Sequence, residues 1–123
     1  MPKKQTFLDE PLESNEKRHL RIVITDSNEQ NEFLTVVVDT LRNNSQDKSC
    51  IIEPGEHSFI KVRSFVNYHY ARVLNFTQVF NGLQKGVLVR KEDVSEELLK
   101  KIQDGARKSN RLNNNLKIWF HLF

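Results

Sequence analysis

"HLRIVITDSNEQNEFLTVVVDTL", residues 19–41, decides the fold. Leu20, Ile22 and Ile24 alternate onto one side of an extended chain while Val23 falls on the other, the mark of a strand buried on most of both sides. EFLTVVVDTL, residues 32–41, reads the same way. The intervening SNEQNE is polar and rich in turn formers, so the two runs form an antiparallel hairpin with a longer loop.

Downstream, RNNSQDKS is a second polar loop and CIIE a short strand ended by Pro54-Gly55, a dipeptide suited to a tight turn. The following segment is too long for one straight strand and divides near Arg63-Ser64 into SFIKV and FVNYHYARVL. NFTQVFNGLQKG predicts a short helix with Phe76, Val79, Phe80 and Leu83 on its apolar side, stopping at Gly86; VLV then gives a brief strand. DVSEELLKKIQDGARK is the clearest helix, with Val94, Leu98, Ile102 and Ala106 recurring every fourth residue and Asp93 with Glu96 as a capping-box variant.

The two termini complete the plan. Residues 1–16 include Pro2 and Pro11 and read as a flexible arm that docks through Phe7 or Leu8. Residues 17–110 form the domain: α+β, a small, mostly antiparallel β-barrel with a C-terminal helix. Residues 111–123 end in the apolar LKIWFHLF, which either covers one end of its own barrel or inserts into a partner such as a second copy, through Trp119, Phe120 and Phe123.

A chain of 123 residues holds one ordinary domain. Cys50 is the lone cysteine, so an internal disulfide is impossible, and its apolar CII setting reads as a buried structural thiol. Glycines at 55, 82, 86 and 105 never reach phosphate-loop spacing. There is no GxSxG elbow and no Cys/His spacing for a metal, so neither a metal nor another cofactor is expected. Lacking a signal-like apolar stretch after MPKK and any run of spanning length, the chain is expected in the cytoplasm, without a membrane partner.

Charge is unevenly distributed. Residues 1–56 carry 7 Lys/Arg against 11 Asp/Glu, a net of −4, whereas residues 57–123 carry 12 against 5, a net of +7. A basic half suits a polyanion, because clustered cations displace counterions from phosphates. Within it Lys61 and Arg63 fall on one face of their short strand, and Tyr68, Tyr70 and Arg72 on one face of the next. Cations interleaved with flat rings are what single-stranded RNA requires, although the same pattern also describes a half-buried barrel wall with a solvated face. His57 and His69 are the imidazoles of this region. Arg18 at the mouth of the first strand and Thr40 at the end of the second come to the same end of the hairpin, where a guanidinium and a hydroxyl could serve a phosphoryl group.

The succession RHLRIVITD, polar loop, EFLTVVVDTL, loop, strand, SFVNYHYARVL, short helix and GVLVRKEDVSEELLKKI resembles the MazF/PemK toxin family over residues 17–108. Arg18 matches that family's arginine, with His19 in place of its proline, and Thr40 matches its threonine, with Leu41 in place of its serine. Val38 and Asp39 stand where a proline is usual, and the Gly-Asp-Ile/Val opening strand is absent. The resemblance implies an SH3-like barrel that dimerises and cuts single-stranded RNA without metal, as the toxin partnered by an antitoxin protein. It implies Arg18 on the phosphoryl charge, Thr40 orienting or donating a proton, His57 or His69 assisting, and Lys61, Arg63, Tyr68 and Arg72 holding the strand. The alternative is a non-catalytic barrel that binds protein or nucleic acid.

Overall fold

The hairpin read from the sequence is the centre of the sheet. In the computed structural model, which describes residues 1–10 and 17–123, β2 (Leu20–Val23) pairs antiparallel with β3 (Glu32–Thr40), Arg21 opposite Val37 and Val23 opposite Thr35. Asn28 organises the loop between them: its side-chain oxygen accepts from the Gln30 and Glu32 amides at 3.0 and 2.9 Å. Asn31 takes a φ of 60°, a conformation asparagine tolerates better than most residues.

Around this pair lie β1 (Thr6–Leu8), β4 (Ile51–Ile52), β5 (Ser64–Asn75) and β6 (Val89–Lys91), giving a curled antiparallel half-barrel in the order β4-β5-β3-β2-β1-β6. The expected N-terminal arm therefore contributes a strand. Phe7 is fully buried, and Asp9, just past β1, accepts from the buried Arg21 Nε at 2.6 Å. Residues 11–16 of that arm lie outside the described residues.

Both faces of the sheet are covered, which explains the near-continuous apolar runs. On one face, Leu20, Ile22, Leu34, Val36 and Tyr68 pack with Leu98 and Ile102 of α2 (Glu96–Lys108). On the other, Phe7, Val23, Phe33 and Leu74 pack with Val79 of α1 (Phe76–Gln84). α1 begins with a capping box between Asn75 and Gln78 and leaves Phe76 and Phe80 exposed and stacked on each other at 5.6 Å. The cap of α2 is Ser95, whose hydroxyl accepts from the Leu98 amide at 3.1 Å, while Asp93, expected in that role, pairs instead with Arg90.

SFIKV is not a strand. Residues 53–63 form a turn-rich loop with a functional consequence for the fold, because it spans from β4, one edge of the sheet, to the segment after β6, the other edge. His57 makes the connection. Its Nδ1 accepts from the Phe59 amide at 3.0 Å, so its Nε2 carries the hydrogen and donates to the Glu92 carbonyl at 2.8 Å. The Ser58 amide adds a bond to the Glu92 carboxylate at 2.9 Å, and Lys101 of α2 reaches Glu56 at 3.0 Å.

The C-terminal residues form a 3-10 helix, η1 (Asn114–Leu122), laid over the α2 side of the core. Trp119 is buried in its own chain, and Phe120 and Phe123, also expected as dimer contacts, pack on the same core. The Arg107 guanidinium lies 4.7 Å from the Phe123 ring centre, a cation–π contact that holds the last residue down. Among the described residues, no helix is long and apolar enough to cross a membrane.

Candidate functional site

An antiparallel hairpin brings the beginning of its first strand beside the end of its second, and here those two ends form the wall of a groove. The depression holds about 530 Å3. Lys17, Arg18 and His19 line it from the approach to β2, Asp39, Thr40 and Arg42 from the end of β3, and Phe59, Lys61 and Val62 from the loop that His57 anchors. The loop is fastened at this point by the Leu41 amide donating to the Arg63 carbonyl at 3.1 Å.

Among the described residues that line the groove Asp39 is the one acid, sharing the lining with Lys17, Arg18, Arg42 and Lys61. Its Oδ1 accepts from the Thr40 amide at 2.9 Å and lies 3.5 Å from His19 Nε2 and 3.8 Å from Arg42 Nη1. Among the described residues, then, four cations stand with one carboxylate in this lining, a balance that favours an anion. Phe59 and Val62 are exposed on its rim, giving an apolar platform beside the charges. Among the described residues no cluster of His, Cys, Asp or Glu has the makings of a metal site.

Arg18 and Thr40 thus share one groove, as the hairpin register required, and the loop adds Lys61 to it. Arg63 lies just outside it, in a neighbouring depression, paired with Glu53 at 3.1 Å. The other expected residues are elsewhere. His57 is buried with both ring nitrogens occupied, which leaves no site for proton transfer. Tyr68 is also fully buried, its hydroxyl donating to the Ile102 carbonyl at 2.6 Å, and burial pushes that hydroxyl well above the ordinary tyrosine range. It is a core residue, with no ring face available to a base. His69 is exposed on β5, edge-on to Tyr70 at 5.2 Å and outside the groove. Arg72 lines a small cavity with Phe7, Leu74 and Val79 on the α1 face.

Cys50 behaves as the sequence suggested: it is buried, and burial pushes its thiol up to about 11. Four groove residues were not singled out beforehand as sites: Lys17, His19, Arg42 and Phe59. The hairpin register could have found three of them: His19 lies one step inside the Arg18–Thr40 pair, Lys17 one step beyond Arg18 and Arg42 two beyond Thr40. Phe59 shares the parity of Lys61 and Arg63, so alternation along SFIKV already put it on their face, although the segment proves to be a loop.

No protein-family model matches the chain, and no curated protein matches it either.

Proposed function

We propose that the protein is a divergent SH3-like barrel of the MazF/PemK kind, which binds single-stranded RNA in the hairpin-end groove and cleaves it without a metal. The observation that carries this reading is the convergence of Arg18, Thr40 and Lys61 on one groove whose lining, among the described residues, has a single acid. Cleavage by internal transesterification removes a proton from a 2′-hydroxyl, joins that oxygen to phosphorus, breaks the bond to the 5′-oxygen and protonates that leaving oxygen. Arg18, planar and permanently charged, meets the charge that grows on the phosphoryl oxygens. Thr40 supplies a hydroxyl donor. His19 replaces His57 and His69 as the imidazole within reach, with Asp39 fixing its ring. Phe59 offers a face for an unstacked base and Lys61 a phosphate contact. In this reading the chain is the toxin of a pair, restrained by an antitoxin protein.

One observation favours a module that binds RNA without cutting it. His19 Nε2 faces Asp39, and its Nδ1 is buried with no partner among the described residues, so neither ring nitrogen is free for a substrate as the groove stands. A cleavage assay on single-stranded RNA in EDTA separates the two. Cleavage is expected, with Arg18→Ala slowing it by about a hundredfold to a thousandfold while the melting temperature stays within a degree or two. Binding without cleavage assigns the non-catalytic role, and undiminished cleavage by Arg18→Ala removes that residue from the mechanism.

A further inference from the structure

Beside the groove lies a second depression, of about 290 Å3, whose lining includes Arg42, Lys48, Arg63, Asn43 and Asn44 and, among the described residues, no acid. Arg42 lines both depressions, so the two adjoin at that side chain. The anchored loop serves both: Lys61 and Val62 turn toward the groove, and Arg63, next in the chain, turns toward the second depression. Arg63 has a carboxylate partner in Glu53, but both side chains are more than half exposed, and such a pair contributes little and exchanges readily with another anion. Lys48 contacts only the neutral Asn44 amide oxygen, at 2.7 Å, among the described residues.

We propose that this second depression is a phosphate subsite that extends the groove, so that the ligand is a single-stranded oligonucleotide laid from Arg18 across Arg42 to Lys48 and Arg63. The inference rests on the RNA reading of the groove and adds a length requirement to it: a dinucleotide fills the groove alone, whereas a longer strand also engages the second depression. The exposed Phe59 ring at the groove rim favours a nucleic acid over an acidic peptide, since stacking on bases is a feature that a string of carboxylates cannot use.

Fluorescence anisotropy with labelled oligouridylates of two and eight nucleotides tests it. The eight-nucleotide strand is expected to bind at least tenfold more tightly than the dinucleotide. The double variant Lys48→Gln, Arg63→Gln is expected to abolish that advantage and to lower the slope of log affinity against log salt by roughly 1.4, two single-strand phosphate contacts. A thermal melt matching the wild type confirms that the variant is folded. Equal binding of the two lengths by the wild type overturns the subsite, as does a variant that keeps the length advantage. Polyglutamate binding as tightly as the eight-nucleotide strand, with the same loss in the variant, overturns the nucleic-acid assignment. If the wild type binds neither length, the groove reading falls first and the extension with it.

Discussion

The groove and the α2 face of the sheet are built from the same kinds of residue and treat them in opposite ways. Under α2 the polar side chains are committed to structure: Tyr68 donates to the Ile102 carbonyl at 2.6 Å, Gln103 to the Ile24 carbonyl at 2.8 Å, and Ser109 to Asp47 at 2.5 Å. At the groove, Lys17, Arg18, Arg42 and Lys61 line an open depression with, among the described residues, a single carboxylate. A buried polar group without a partner is destabilising by a few kcal/mol, whereas a solvated cation carries no such penalty. Basic, tyrosine-bearing sequence is therefore no guide by itself to availability: in β5 Tyr68 is committed to the core while Tyr70 and Arg72 are exposed.

The largest effect that this contrast predicts is on stability. A Cβ built on Gly105 of α2 lies 2.8 Å from Cys50 Cβ and 2.9 Å from the Ser49 carbonyl oxygen, and it also meets the Tyr68 hydroxyl. Alanine has the better helix propensity by about 1 kcal/mol, so Gly105→Ala in open space is stabilising. Here backbone must move, and we expect a net loss of about 2–3 kcal/mol, read as a fall in melting temperature, with RNA affinity per folded molecule unchanged. A stabilised variant would show that α2 is not pressed against the sheet at this point.

Phe59→Ala probes the other side of the comparison. Its ring is exposed on the groove rim, so removal is expected to leave the melting temperature alone and to weaken single-stranded RNA binding by about 1–2 kcal/mol, one lost stacking contact. Unchanged affinity would mean that the groove holds its ligand by charge alone.

How much of this was readable beforehand follows from where period-two alternation holds. It holds along residues 20–24 and 32–40, and register arithmetic then brought Arg18 and Thr40 together. It fails in β5. Val37 pairs with Asn67 and Thr35 with Arg72, so an irregularity lies between them. Tyr68, Tyr70 and Arg72, assigned to one face by alternation, therefore part company, Tyr68 being buried and the other two exposed. A bulge has no reliable mark in a single sequence, since it depends on the partner strand. SFIKV failed for a related reason: its alternation reflects a loop inserting Ile60 into the core while His57 closes the gap between sheet edges. β1 was hidden because three residues are too few to show a period.

A smaller effect concerns acid. Burial raises the pKa of Asp47, but the Ser109 and Ser49 hydroxyls and the Ser49 amide stabilise its carboxylate more strongly, so the net shift is downward from 3.8. A depressed folded pKa means that the unfolded chain binds the proton first. The stabilisation is complete above pH 3.8 and is lost as pH falls from there through the lowered value. Thermal melts across acid pH are expected to show a limb that Asp47→Asn flattens. An identical limb in that variant would assign the acid sensitivity to other carboxylates.

The smallest change is the most discriminating. Tyr68→Phe keeps the ring and removes a buried hydroxyl that donates to the Ile102 carbonyl, a loss of about 1 kcal/mol. If Tyr68 is core, RNA affinity is unaffected; a drop in affinity at full folding would return it to the binding surface. The variant also couples to Gly105, because the Tyr68 hydroxyl is one of the atoms a new Cβ meets. In the Tyr68→Phe background the Gly105→Ala penalty should shrink without vanishing, since Cys50 and Ser49 still crowd the site. Additive losses in the double variant would show that the hydroxyl and the glycine act independently, and that a Cβ at position 105 is opposed by Cys50 and Ser49 alone.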